Sequence, residues 1–149
     1  MSRKTTRLSY FSVMAYHLTG GRAYRGNANS PGGFLKLTTI GRKSGKRRTV
    51  HLLYIRDGGA YVVTASNAGK PSYPGWYFNV SSNPQVTIEV HGTHLRAAAE
   101  IAGPEKRAEL WARLLEIAPL YRGYEKRIQR EIPMVLVRPI EEPDREQAS

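Results

Sequence analysis

The segment Gly41–Arg48, called here the basic turn, has the composition of an anion-binding loop. It holds five cations and two glycines within eight residues, between two predicted strands. Glycine lets the backbone approach a ligand, while arginine and lysine add charge-assisted hydrogen bonds to phosphate or carboxylate oxygens. It is not a P-loop, because Gly41 and Gly45 are one residue too close and Arg47 replaces the required Ser or Thr. A solvated basic hairpin turn is the alternative interpretation.

A second polar cluster, from Thr64 to Lys70, follows the third predicted strand. Ser66 and Asn67 offer hydrogen-bond donors, Gly69 permits a turn, and Lys70 adds a cation. These residues are equally typical of a strand that simply ends in a loop. The cluster therefore indicates a binding site only if it faces the basic turn.

Two groups of aromatic residues come later in the chain. Trp76, Tyr77 and Phe78 are adjacent, and burial in the core is the expected role of Trp76. Tyr121 and Tyr124 lie one helical turn apart and could line the pocket of a planar ligand. Core packing with solvated hydroxyls is the alternative for this pair.

Several familiar kinds of catalytic site are missing from the sequence. There is no cysteine, and no metal site is expected from the four histidines. Asp57 and Glu89 are the only carboxylates before Glu100, so hydrolysis by paired carboxylates is not expected. Neither a nucleophile elbow nor a dinucleotide-binding glycine motif is present. If the protein is an enzyme, a bound cofactor must supply the reactivity.

The net charge of +11 is concentrated in the first third of the chain. Met1–Arg56 contains 12 of the 23 lysines and arginines and none of the 12 carboxylates. Such a field favours an anionic partner, which could be a phosphate, a polycarboxylate, nucleic acid or an anionic membrane. Composition alone does not choose among them.

The elements that must position these residues are mainly strands. The alternation of apolar residues and the turn signals predict strands at Phe34–Ile40, Thr49–Ile55, Ala60–Ala65, Gln85–Val90, Thr93–Ile101 and Ile132–Val137. They also predict a short helix at Pro74–Ser81, a longer one from Pro104 to about Ile117, and another that carries Tyr121 and Tyr124. About six mostly antiparallel strands with flanking helices indicate an α+β fold built on a barrel or roll, because closure removes exposed edges.

The chain divides into three parts. Residues 1–33 are predicted to form an amphipathic helix at Arg7–Leu18 followed by a loop, residues 34–140 the barrel, and residues 141–149 a polar tail. The N-terminal helix packs on the core or makes a peripheral contact with a membrane. Without cysteine or a long apolar run, the expected location is the cytoplasm, with membrane association as an addition.

Several spaced motifs together resemble the deazaflavin-dependent nitroreductase family of actinobacteria. The resemblance extends from about Phe34 to Pro139 and depends on the order of the motifs rather than on any one of them. The motifs are Leu37-Thr38-Thr39-Ile40-Gly41-Arg42-Lys43-Ser44-Gly45, Arg48, Asp57-Gly58-Gly59, Ala65-Ser66, Pro74 with Trp76-Tyr77-Phe78-Asn79, and Asn83-Pro84.

The resemblance implies a split β-barrel, an FMN-binding-like roll, that binds coenzyme F420, with FMN as the less favoured cofactor. F420 is a 5-deazaflavin with a phosphate and an oligoglutamate tail, so a polyanionic ligand would account for the basic turn. Position by position, the implied cofactor-binding residues are Arg42, Lys43, Ser44, Gly45, Arg48, Ala65, Ser66, Lys70, Trp76 and Asn79. Trp76 and Asn79 are implied to support the site rather than to contact the ligand.

The implied activity is transfer of a hydride from C5 of the reduced deazaflavin to a quinone, an activated alkene or enone, or a nitroaromatic compound. Ser66 and Tyr124 are the candidate catalytic residues, because their hydroxyls could hydrogen-bond to the acceptor oxygen. Tyr121, Tyr124 and Ala118 match substrate-pocket positions, and Ala118 stands where a well-known member has a further tyrosine. This departure indicates an acceptor pocket of different shape.

Two alternatives from other classes of protein remain at this stage. A nucleic-acid-binding barrel would use the basic turn on a phosphate backbone, although no aromatic residue lies among its cations. A related split-barrel protein would bind FMN or act as a carrier.

Overall fold

The computed structural model describes residues 32–140 and confirms the α+β class. The strands are β1 (Gly32–Ile40), β2 (Arg47–Asp57), β3 (Ala60–Thr64), β4 (Gln85–Val90), β5 (Thr93–Ile101) and β6 (Met134–Pro139). The helices are α1 (Gly75–Ser82), α2 (Pro104–Ile117) and α3 (Tyr121–Arg127), and a 3-10 turn at Asn67–Gly69 follows β3. The predicted N-terminal helix with its membrane contact, and the polar tail, lie outside the described residues.

The six strands close into an antiparallel barrel in the order β1-β2-β3-β6-β5-β4. Closure depends on β1, in which Thr38 pairs with Thr49 of β2 on one side and with Thr87 of β4 on the other. The predicted barrel of six antiparallel strands is therefore confirmed. No helix among residues 32–140 combines the length and the apolar character needed to cross a membrane.

Five of the predicted strand boundaries were wrong by two residues, namely the starts of β1, β2 and β6 and the ends of β2 and β6. β1 begins at Gly32, within the predicted loop, and a Cβ there would lie 3.0 Å from the Tyr54 carbonyl oxygen. β2 begins at Arg47 and so takes the last two residues of the basic turn. β6 begins at Met134 because Pro133 has no N–H to donate to a strand ladder.

The strands carry apolar residues on both faces and separate two hydrophobic clusters. The barrel interior contains alternate residues such as Leu35, Tyr54 and Val63, and α1 adds Trp76 and Val80 to it. The opposite faces of β1, β2, β3 and β6 pack against α2 and α3 in a cluster of Phe34, Leu53, Ile55, Ala60, Val62, Leu110, Trp111, Leu114, Ile117, Ala118, Tyr121, Ile128, Ile132, Met134 and Leu136. Both helices are thereby fixed to one side of the barrel.

β2 is longer than its neighbour β3, which leaves a gap in the barrel wall. β2 pairs with β1 from Arg47 to Ile55, but it pairs with β3 only from Tyr54 to Asp57. The part of β2 that precedes Tyr54 therefore borders a gap rather than a paired strand on that side. The candidate site lies there.

Candidate functional site

The basic turn is a closed loop whose cations face solvent. The Gly41 N–H donates to the Lys46 carbonyl at 2.7 Å, and the Gly45 N–H donates to the Gly41 carbonyl at 2.8 Å. Gly45 has φ +71°, a left-handed conformation that residues with a Cβ adopt at a cost. All residues from Arg42 to Thr49 are exposed, so the turn presents its cations for an anion to bind.

Asn79 of α1 fastens the basic turn to the barrel. Its Oδ1 accepts a hydrogen bond from the Arg42 N–H at 3.1 Å, and its Nδ2 donates to the Thr39 Oγ1 at 3.0 Å. Asn79 and Thr39 are both buried. The Arg42 guanidinium also lies over the ring of Phe78, 4.4 Å from its centroid. Asn79 therefore connects the basic turn to β1.

A cavity of about 290 Å³ lies beside the first half of β2. β2, the end of β3, the loop that follows it, α1 and α3 all contribute to its wall. The lining residues are Val50, His51, Leu52, Leu53, Thr64, Ser66, Asn67, Ala68, Pro74, Trp76, Tyr121 and Tyr124. Four of the sequence-predicted site residues, namely Ser66, Trp76, Tyr121 and Tyr124, are thus brought together around one space.

The polar groups of the cavity are mainly hydroxyls. Ser66 and Tyr121 are both buried in the wall of the cavity, and the Tyr121 and Tyr124 rings meet edge to face at 5.2 Å. Burial, and secondarily the neighbouring Tyr124, raise the pKa of Tyr121 above its usual value, against the opposing effect of the Ser66 side chain. Tyr121 is therefore protonated throughout the physiological pH range. The buried Thr64 Oγ1 has no hydrogen-bond partner within residues 32–140.

The other predicted residues lie outside the cavity lining. Ala65 is fully buried in the barrel interior, and Ala118 is fully buried among the apolar residues of α2 and α3. Lys70 is exposed on the loop after β3, and Ser44 of the basic turn accepts a hydrogen bond from the Lys46 N–H at 3.1 Å. Of the twelve residues that line the cavity, four are thus predicted site residues, whereas Ala118 belongs to the apolar core.

The basic turn and the cavity share β2. Arg48 at the start of this strand and Val50 on the cavity wall are two residues apart, about 7 Å at 3.4 Å per residue. A ligand with an anionic group and a planar part can therefore contact both. The arrangement suits a cofactor with a charged side chain better than it suits a small substrate alone.

The sequence interpretation missed two polar residues at or near the cavity. His51 lines it, and the Arg130 guanidinium contacts the loop that carries Ser66. His51 stands between two apolar strand residues, and Arg130 is one of several cations near the end of α3, so neither has a local signal. Within the described part of the chain, no group of three or more His, Asp or Glu could hold a metal ion.

Comparison with known proteins identifies the family of the chain. The family model for F420H(2)-dependent quinone reductase matches residues 10–139. An F420H(2)-dependent quinone reductase of Mycobacterium tuberculosis (strain H37Rv) is 38% identical over 125 residues, which cover 82% of this chain and 83% of the relative.

Two solved structures are similar to the chain in both sequence and fold. An F420-H2 dependent reductase (FDR-A) is 36% identical with a TM-score of 0.64, and the match covers 70% of this chain and 92% of that one. A structure described as a domain-swapped dimer is 32% identical with a TM-score of 0.65, over 85% of this chain and 95% of that one. These matches favour an oxidoreductase over a nucleic-acid-binding barrel and F420 over FMN. The chain therefore belongs to the F420H(2)-dependent quinone reductase family and is an F420-dependent oxidoreductase.

Proposed function

We propose that the protein reduces a quinone with hydride from reduced F420, and that the deazaflavin ring and the acceptor meet in the cavity beside β2. The observation that carries the proposal is the cavity itself, where Ser66, Trp76, Tyr121 and Tyr124 converge beside the strand that begins in the basic turn. The names of the family and of the mycobacterial relative support quinone as the acceptor. Activated alkenes and nitroaromatics remain predictions from the sequence.

The residues present fit the cofactor chemically. The exposed cations of the basic turn suit a phosphate and an oligoglutamate tail, and the glycines leave its amides accessible. At the other end, the partnerless Thr64 Oγ1 is a buried hydroxyl beside a cavity, and a buried hydroxyl is costly to leave without a hydrogen bond. A polar edge of a ring in the cavity could give it a partner.

The proposed cofactor contacts divide between the two parts of the site. Arg42, Lys43, Ser44, Gly45 and Arg48 would bind the anionic groups, since the Ser44 hydroxyl accepts one hydrogen bond and can still donate another. Lys70 would add a cation at the loop after β3. Trp76 and the Val50–Leu53 part of β2 would exclude water from the ring, and Asn79 would position the turn.

The proposed chemistry needs one proton besides the hydride that bound, reduced F420 supplies. Ser66 lies in the cavity wall beside Tyr121, which burial keeps protonated, and its hydroxyl would donate to a quinone oxygen. Tyr124 is the second candidate donor at the same cavity. Water then restores the donated proton, and the quinone leaves as the quinol, having gained one hydride and one proton.

The test is a titration of the protein with oxidised F420, followed by anaerobic turnover of reduced F420 with a water-soluble quinone. The variant that combines Lys43→Gln with Arg48→Gln should bind F420 about 100-fold more weakly. Each lost charge-assisted hydrogen bond is worth roughly 1.5 kcal/mol, and about 1.4 kcal/mol corresponds to a factor of 10. FMN, titrated in parallel, should bind far more weakly than F420.

The matched control combines Lys36→Gln with Arg138→Gln. It removes the same total charge from two surface ion pairs that belong to neither the basic turn nor the cavity. This control should bind F420 like the wild type, apart from a small change that salt screens. Equal affinity of the two double variants would contradict the role of the basic turn, and F420 binding without quinone turnover would contradict the proposed acceptor.

A further inference from the structure

The loop between β3 and α1, residues 65–72, surrounds the side chain of Arg130 and is called here the Ser66 loop. The Arg130 guanidinium donates to five backbone carbonyl oxygens of this loop: from Nε to Pro71 (2.9 Å), from Nη1 to Ala65 (3.1 Å), and from Nη2 to Ser66 (3.2 Å), Lys70 (3.3 Å) and Ser72 (3.0 Å). Nη1 also donates to the Glu131 carbonyl at 3.3 Å, and the guanidinium stacks over the Tyr73 ring at 4.3 Å. One side chain therefore contacts both ends of the loop.

The Ser66 loop has a conformation that needs external support. Asn67 (φ +50°), Ala68 (φ +54°) and Gly69 (φ +83°) are three consecutive left-handed residues, and only glycine adopts that region without a penalty. Such a backbone conformation persists when contacts with the surrounding structure hold it in place. Within the loop, the Gly69 N–H donates to the Ser66 carbonyl and the Lys70 N–H to the Asn67 carbonyl, and Asn67 Nδ2 donates to the carbonyl and hydroxyl oxygens of Ser72 at 3.1 and 3.2 Å. None of these bonds reaches Ala65 or Pro71, whose carbonyl oxygens accept from Arg130.

Arginine is suited to this position for a geometric reason. The planar guanidinium presents five N–H donors in a fixed fork, and the carbonyl oxygens of Ala65, Pro71 and Ser72 lie around that plane. The ammonium group of a lysine would carry the same charge, but its three donors radiate from one point and cannot reach both ends of the loop.

We infer that Arg130 is a positioning residue for the candidate active site, which holds the Ser66 loop so that Ser66 stays in the wall of the cavity beside β2. The Arg130 guanidinium donates to the Ser66 carbonyl at 3.2 Å, and Ser66 lines the cavity together with Tyr121. The effect of Arg130 on turnover rests on the proposed function, in which Ser66 is the hydrogen-bond donor to the quinone. The effect of Arg130 on the loop does not depend on that function.

The experiment compares Arg130→Lys and Arg130→Ala with Arg122→Gln, a charge-removing control at an exposed position of α3. Amide hydrogen exchange on the wild type and all three variants reports the loop without any ligand. The Gly69 and Lys70 amides should exchange at least 10-fold faster in both Arg130 variants and at the wild-type rate in the control. Unchanged exchange in both Arg130 variants would overturn the inference.

Steady-state kinetics with reduced F420 and a soluble quinone then test the effect on the reaction. Both Arg130 variants should lose at least 10-fold in kcat, because Ser66 is displaced during the chemical step, while the control stays at the wild-type level. Guanidinium ion at millimolar, non-denaturing concentration should restore part of the kcat of Arg130→Ala, whereas sodium at equal ionic strength should not. A role confined to global stability would not give this rescue.

Two further outcomes keep the inference separate from the proposed function. Faster loop exchange with wild-type kcat in both Arg130 variants overturns the positioning role, because a moved loop would then leave turnover unchanged. A wild type that binds F420 but does not turn over any quinone refutes the proposed function, and the exchange rates still decide whether Arg130 holds the loop. If Arg130→Ala fails to fold, Arg130→Lys supplies both measurements.

Discussion

Replacing Asn79 with alanine should destabilise the protein by about 2–3 kcal/mol. The change removes two hydrogen bonds, from the Arg42 N–H and to the Thr39 Oγ1, each worth roughly 1 kcal/mol. Thr39 is 1% exposed, so its hydroxyl loses a partner that water cannot replace at once, which adds about 1 kcal/mol. The higher helix propensity of alanine offsets roughly 0.5 kcal/mol of this loss.

The assay is urea unfolding followed by tryptophan fluorescence, since Trp76 and Trp111 are both buried. With a slope of about 2 kcal/mol per molar urea, the midpoint of Asn79→Ala should fall by roughly 1 M. Ser82→Ala, at the exposed end of the same helix, should shift the midpoint by less than about 0.25 M. F420 affinity should also fall in Asn79→Ala, because the basic turn loses its attachment. Equal midpoints for the two variants would refute the role given to Asn79.

Two further predictions concern the loop beside the cavity and the acid limit of stability. Gly69→Ala should raise the KM for quinone and lower the melting temperature, because a Cβ at this left-handed residue lies 3.0 Å from Tyr124 Cδ1; an unchanged KM would contradict this. Hydrogen bonds from Lys106 and Arg113 hold the pKa of Asp57 below its usual value of 3.8. Its stabilisation is therefore complete above about pH 5 and is lost as pH falls through the lowered folded-state value. Asp57→Asn should therefore flatten the decline of unfolding free energy measured between pH 5 and 2, and a decline as steep as the wild type's would contradict the assignment.

The sequence predicted the helices better than the strand boundaries, and the reason lies in burial. Pro104 and the apolar spacing of α2 predicted its bounds correctly, because only one face of this helix packs against the barrel. Phe34 and Leu35 point to opposite faces of β1, yet both are buried in different clusters. When both faces of a strand are apolar, the period of two is lost and the ends of the strand cannot be read from alternation.

The sequence indicated the parts of the candidate site that have an unusual residue composition. It missed the contact that depends on backbone atoms. The cations and glycines of the basic turn have an unusual composition, and the spacing of Tyr121 and Tyr124 places both rings on one side of α3. Arg130 instead contacts carbonyl oxygens, which every residue has, 58 to 65 positions away along the chain. No pattern of residue types marks such a contact.

The continuity of β2 from the basic turn into the cavity wall makes this strand intolerant of length changes. Successive side chains of a strand point to opposite faces, so one residue inserted between Arg48 and Val50 would turn one of the two parts of the site to the wrong face. An insertion in the loop at residues 58–59, which are exposed, would leave both parts of the site in place at a small entropic cost. Natural variation in length should therefore be absent from the segment that joins the basic turn to the cavity wall.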